Sequence, residues 1–212
     1  GMMSVMGRSV SLVVVAVLIP HTAMQIFFLF HCPPQTAFTS FNVSLFLGKW
    51  YEIKRYFTLY EYGGRCNAIT FTDKGNGFYG VLNEQIVLGS VWDTIEGEAA
   101  LVSPGSGQAT FSLNYSSLLF LGMGAVGSKG NYWVLSTDYV NYAIAWACLD
   151  MSYINTQMLW ILMRKRHPDP QELFIAENVV RSLRLDASWL EPTDQTNCFI
   201  PENCNSTSEY FC

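Results

Sequence analysis

Between residues 46 and 164 the chain breaks into eight short runs rich in β-branched and aromatic residues. They are "FLGKWYEIKRYF" (46–57), "RCNAITFTD" (65–73), "FYGVLNEQIVL" (78–88), "SVWDTIEGEAALV" (90–102), "QATFSLNYS" (108–116), "NYWVLSTDY" (131–139), "NYAIAWACL" (141–149) and "QMLWILMR" (157–164). Turn signals separate them: "DKGNG", Gly89, "SPGSG" and the Asp138–Asn141 corner. Eight closely spaced strands with short connections read as an all-β barrel or sandwich. In "QATFSLNYS" the alternation is clean, with Phe111, Leu113 and Tyr115 on one face and Asn114 on the other. The first run is less simple. Trp50, Glu52, Lys54 and Tyr56 fall on one face and Tyr51, Ile53, Arg55 and Phe57 on the other, so neither face is apolar. Something must shelter the indole while its charged neighbours keep water or partners.

One segment departs from strand periodicity. In "HPDPQELFIAENVVRSLRL" Asp169 is placed as an N-cap, Pro170 at the first helical position and Glu172 three residues past the cap. Leu173, Ala176, Val180 and Leu183 then fall near one helix face, which would pack on the outside of the sheet.

With 212 residues, half of them hydrophobic, the chain can bury the core of one ordinary domain. A net charge of −5 argues against a nucleic-acid partner, which would want a basic surface. Residues 1–24 read as a secretory signal: Arg8, the apolar run "SVSLVVVAVLIP", then the small residues Thr22 and Ala23. The alternative is a membrane anchor extended by "IFFLF" (26–30). Six cysteines, Cys32, Cys66, Cys148, Cys198, Cys204 and Cys212, fit disulfides in an oxidising compartment, with fifteen pairings open on spacing alone. Sequons at Asn42, Asn114 and Asn205 fit a glycosylated, extracellular protein. The domain plan is a signal at 1–24, one domain at 25–198 and a cysteine-containing tail at 199–212.

"GKWYEI" near the start, "TDYVNYA" in the middle and "WILMRKR" before the helix resemble the three signature segments of the lipocalins, in the family's order. "VLN", "IEGEA", "YWVLSTDYVNYAIAWAC" and the closing "TDQTNC" are similar to the branch that holds apolipoprotein D and the insect bilin-binding lipocalins. The resemblance covers residues 32–198. It implies an eight-stranded antiparallel up-and-down barrel, the lipocalin calyx, with one C-terminal helix packed outside. It places Trp50 at the closed end, covered by Arg164, with the Asp138–Tyr139 turn beside them as a structural floor. It implies Cys32–Cys148 and Cys66–Cys198 bridges. Cys204 and Cys212 depart from the pattern and would pair with each other or with another molecule.

On that resemblance and on alternation, the candidates to line a ligand cavity are Phe71, Asn83, Gln85, Val87, Phe111, Leu113, Tyr115, Tyr132 and Trp160. The competing reading for part of this set is plain barrel core near the floor. At Val87 the resemblance leads one to expect a basic residue, so the ligand is expected to be neutral or mostly apolar. Arg55 and Lys54 near the mouth remain able to pair with an acid. The linker "SSLLFLGMGAVGSKG" carries Leu118, Leu119, Phe120, Leu121 and Met123 at the open end. Through 117–127 it would touch a membrane or lipoprotein surface, or else fold over the cavity as a lid.

No catalytic elbow, phosphate loop or zinc motif is present, and the histidines (His21, His31, His167) are scattered. The chain is therefore expected to be a secreted carrier and not an enzyme. It would hold a fatty acid, a sterol-like compound or a bilin, with no metal and no other cofactor. The alternative is an extracellular interaction protein that meets a membrane or protein partner through its open-end loop.

Overall fold

Alternating side chains put one face of every strand inside and the other outside, and here the inside closes on itself. A computed structural model describes residues 27–58, 61–115 and 132–198. The chain starts with a short strand β1 (Phe27–Leu29) and a one-turn helix α1 (Val43–Phe46). Eight strands follow: β2 (Gly48–Arg55), β3 (Arg65–Gly75), β4 (Phe78–Val87), β5 (Val91–Leu101), β6 (Thr110–Tyr115), β7 (Tyr132–Thr137), β8 (Tyr142–Asp150) and β9 (Ile154–Met163). Each pairs antiparallel with the next, and β9 pairs back onto β2, with Tyr51 opposite Met163 and Arg55 opposite Trp160. The expected eight-stranded antiparallel barrel is therefore closed, which leaves no free edge along the β2–β9 seam.

Two small strands lie outside the expected set. β1 pairs with the first residues of β9, which β2 does not reach. β10 (Glu191–Pro192) pairs with Arg55 and Lys54 of β2, where β3 has diverged. Neither was legible, because a strand of two or three residues has no period to read.

Helix α2 (Pro170–Ser182) has the capping box that its sequence implies. The Asp169 side chain accepts from the Gln171 N–H at 2.8 Å, and Glu172 accepts from the Asp169 N–H at 3.1 Å. Ala176 and Val180 are buried against Ile144, Trp146, Leu159 and Ile161 on the outer face of β8 and β9. The outward Ile144 and Trp146 alternate with inward Ala143, Ala145 and Ala147, so one strand serves two cores.

The phase of β2 differs from simple alternation. The register with β9 slips between Glu52 and Lys54, making Ile53 an extra residue. Such a bulge shifts every later side chain to the other face. Lys54 consequently points out and meets Glu177 of α2 at 2.7 Å. Tyr56 joins the outer core. Arg55 turns to the side of Glu52, whose carboxylate it reaches at 2.6 Å. The mixed first run is thus two half-strands of opposite phase, and neither Arg55 nor Lys54 waits at the mouth for an acid.

At the closed end, α1 carries Phe46 beneath the barrel, and both Phe46 and Trp50 are fully buried. The Trp50 indole N–H donates to the Phe46 carbonyl at 2.8 Å. The Arg164 guanidinium lies 3.6 Å from the centre of the Trp50 ring. Its N–H groups make four hydrogen bonds, to the carbonyls of Tyr139, Lys49, Leu45 and Phe46, at 3.0–3.3 Å. Gly48 makes this approach possible: its φ is +94°, and a Cβ there would stand 3.3 Å from an Arg164 nitrogen. Asp138 organises the adjoining turn, accepting the N–H groups of Val140, Asn141 and Tyr142 and the Asn141 side chain. Partial burial would raise its pKa, but these four donors outweigh that and hold the carboxyl below the ordinary aspartate range. The Tyr139 hydroxyl accepts the N–H of Asn42, which ties the turn to the start of α1.

Disulfides join Cys32 to Cys148 and Cys66 to Cys198. Each closes a loop of more than a hundred residues, a constraint on the unfolded chain worth roughly 5 kcal/mol at most in the chain-entropy picture. Cys204, Cys212 and Asn205 lie outside the described residues, as do Leu118, Leu119, Phe120, Leu121 and Met123. Asn42, the N-cap of α1, and Asn114 on β6 are both exposed.

Replacing Arg164 by Ala should cost about 2–4 kcal/mol of unfolding free energy in urea titration, from the lost cation–π contact and the stranded carbonyls. Arg164→Lys should recover less than half, because an ammonium cannot serve four acceptors. The lowered pKa of Asp138 means that its contribution is present above the unfolded carboxylate pKa, about 3.9, and is lost as pH falls through the folded value. Stability of the wild type should therefore decline below about pH 4 more steeply than that of Asp138→Asn, as followed by urea midpoints at stepped pH.

Candidate functional site

Above the floor the interior is not solid. A cavity opens toward the end opposite Arg164; about 50 Å³ of it admits the centre of a water-sized sphere, within about 590 Å³ of empty space that includes the open mouth. Asn67, Ala68 and Ile69 of β3 line it, with Asn83 and Gln85 of β4 and Asp93 and Ile95 of β5. Tyr115, Tyr132, Trp160 and Leu162 complete the wall from β6, β7 and β9, with Glu52 of β2 and Glu61 from the loop after β2. Gly97 on β5 gives Tyr115 its place: a Cβ there would lie 2.6 Å from that ring, so any larger residue would push the tyrosine aside.

Of the nine expected lining residues the structure brings five together around this space: Asn83, Gln85, Tyr115, Tyr132 and Trp160. The other four lie elsewhere. Phe71 and Phe111 belong to an aromatic layer beneath the cavity. Phe46 enters the barrel from α1 and meets Phe71 at 5.2 Å and Phe111 at 6.3 Å between ring centres, while Phe41 meets Phe111 at 5.8 Å. Two phenylalanines from outside the strands therefore fill the lower barrel, which strand alternation could not foresee. Leu113, one inward step above Phe111, is packed into the same core. Val87 sits at the end of β4 opposite Val91, half-exposed at the rim and off the lining.

The missing residues are polar. Glu52, Arg55, Thr58, Glu61 and Thr193 form a buried cluster at the β2 wall. Glu52 accepts from Arg55 at 2.6 Å and from the Thr193 hydroxyl. Arg55 also donates to the Glu61 carbonyl at 3.0 Å, and its Nε lies 3.6 Å from the Glu61 carboxyl. Thr58 donates to that carboxyl, as does the Trp160 indole N–H at 3.3 Å. Burial, and then the charge of Glu52, push the Glu61 carboxyl well above its ordinary range, against the opposing pull of Arg55. Two carboxyls thus share one guanidinium. Sequence patterning misses Glu61 because it stands in a loop, and misreads Arg55 because of the bulge.

A second chain of polar groups crosses β3, β4 and β5. Asn67 Nδ2 donates to Gln85 Oε1 at 3.5 Å, and Gln85 Nε2 donates to Asp93 at 3.0 Å. Asn83 donates to the Tyr115 hydroxyl at 2.9 Å. The Tyr132 ring lies 5.9 Å from that of Trp160, and burial raises the pKa of both Tyr115 and Tyr132. Asn67 Oδ1 and the Tyr132 hydroxyl are buried, with no hydrogen-bond partner among the described residues. No group of side chains arranged to hold a metal ion is found among the described residues.

The comparisons agree with this architecture. A family model described as a lipocalin-like domain matches residues 41–195. The Lazarillo protein of Schistocerca americana is 33% identical over 170 residues, covering 78% of this chain and 75% of that protein. Apolipoprotein D of Macaca fascicularis is 31% identical over 175 residues, covering 82% and 87%. The solved structure of insecticyanin from the tobacco hornworm Manduca sexta superposes with a TM-score of 0.65 at 23% identity, covering 81% of this chain and 89% of that one. A closed eight-stranded barrel, an indole floor under a guanidinium and a family match over most of the chain lead to one conclusion: this protein belongs to the lipocalin family.

Proposed function

We propose that this protein is a carrier that takes one small, largely apolar molecule into the barrel through its open end, for transport or sequestration. The observation that carries this reading is the cavity itself, open at one end and stopped at the other by Phe46, Trp50 and Arg164. Ile69, Ile95, Leu162 and the rings of Tyr132 and Trp160 offer apolar surface to a ligand body. Glu52, Glu61 and Asp93 stand on the same wall and offer no positive charge to a carboxylate head, so a ligand without one, such as a sterol-like compound, is favoured over a fatty acid anion or the propionates of a bilin. The residues on the cavity serve to bind and orient, and no catalytic role is assigned to them. Two disulfides and the exposed sequons support work outside the cell, after loss of the signal.

The competing reading is an extracellular protein that docks on an apolar surface. Leu29, Phe30, Leu88 and Tyr153 favour it: all four are well exposed and lie at the open end.

Titration with retinol, read by the ligand's own fluorescence, should saturate near one molecule per chain. Ile95→Phe, which fills the cavity, should weaken binding at least tenfold while circular dichroism stays unchanged. Equal binding by both proteins would place the ligand outside the barrel and defeat the carrier reading. A blue-green preparation with a long-wavelength absorption band would identify the ligand as a bilin. No retinoid, lipid or pigment binding, together with association of the wild type with neutral phosphatidylcholine vesicles, would favour the docking protein.

A further inference from the structure

Resting on the carrier reading, we infer that the cavity selects ligands by a nitrogen head group, and that its ligand class is a hydrophobic primary amine. The inference starts from the direction of the hydrogen bonds. Asp93 can only accept when ionised, so Gln85 must present Nε2 to it. That turns Gln85 Oε1 toward Asn67, which must therefore present Nδ2. The Asn67 carbonyl oxygen is left buried and unpartnered among the described residues, as an acceptor only. An unmatched buried acceptor costs about 1–3 kcal/mol, which a donor on a ligand would recover.

Other groups on the same wall ask for the same complement. The Tyr132 hydroxyl is buried, without a partner among the described residues, and able to accept. Glu61 shares the Arg55 guanidinium with Glu52 and has no second cation beside it among the described residues. The charged and titratable groups that face it are Glu52 and Arg55 from β2, with Tyr115 and Tyr132 across the cavity. Among the described residues no lysine, arginine or histidine stands on the lining, while Glu52, Glu61, Asp93 and the Lys49-paired Glu84 do. An ammonium brings three donors in one small group, and its charge favours the ionised form of Glu61 that burial beside Glu52 disfavours. Asn67 Oδ1, the Glu61 carboxylate and the Tyr132 oxygen are three acceptors for it. A hydroxyl head satisfies one of them, and a carboxylate satisfies none and adds like charge.

The test is a head-group series on one chain length: decylamine, decan-1-ol and decanoate, titrated calorimetrically into the full protein at pH 7. Decylamine should bind at least tenfold tighter than decanol, and decanoate at least tenfold weaker than decanol. Glu61→Gln should bring decylamine to within threefold of decanol. Decanoate binding as tightly as decylamine overturns the inference, and so does an amine preference that survives intact in a folded Glu61→Gln protein. If that variant does not fold, the order of the three ligands on the wild type decides alone. Decanol binding with no amine preference removes the head-group inference and leaves the carrier reading standing. No binding by any of the three, with retinol still bound, removes the head-group inference alone, and failure of retinol as well removes both.

Discussion

A closed β-barrel has two ends and one of them must be stopped, and here a single guanidinium stops it. Arg164 covers the face of Trp50 and satisfies carbonyls from four residues, three of them in and around α1. A short helix whose last carbonyls are unpaired is a liability near a core. Arg164 converts those groups into the anchor that holds Phe46 beneath the barrel. Phe46 in turn supports the aromatic layer of Phe71 and Phe111, on which the cavity rests. Without that stack the space would open at both ends and would no longer be a cup.

The same barrel runs two cores. Outside, α2 covers Ile144, Trp146, Leu159 and Ile161 in an ordinary apolar contact. Inside, the lower part is aromatic and closely packed, while the upper part carries Glu52, Arg55, Glu61 and Asn67. Buried charge of this kind adds little net stability, because desolvation offsets the attraction. A well-packed aliphatic wall would stabilise the fold at least as well. On the proposed carrier reading the polar wall serves recognition, with apolar surface for a ligand body and polar groups to tell one head from another.

Much of this was legible in the chain. Alternation and turns fixed the eight strands to within a few residues at each end, and the Asp169 capping box marked the start of the helix. The floor and the disulfide pairs followed from resemblance in "GKWYEI", "TDYVNYA" and "WILMRKR", and no spacing rule could have supplied them. Five of the nine expected cavity residues stand on the cavity, because period-2 counting puts the correct face of β4, β6 and β9 inside. Phe71, Phe111 and Leu113 are also on inward faces, yet alternation gives the face and not the height above the floor.

What the sequence settled by itself is the local part: strand, turn, helix and the side of the sheet each residue occupies, since these depend on neighbours a few positions away. What only the tertiary structure decided is non-local. The β2 bulge at Ile53 moves Arg55 inside, because the strand must follow β9 around the closure of the barrel. Phe41 and Phe46 fill the lower lumen from segments that no strand pattern includes. Glu61, 54 residues from Tyr115 and 99 from Trp160 in the chain, shares one cavity with them only when the barrel closes. The chemistry of the cavity is created by that closure, which brings into one low-dielectric space groups that the sequence keeps apart.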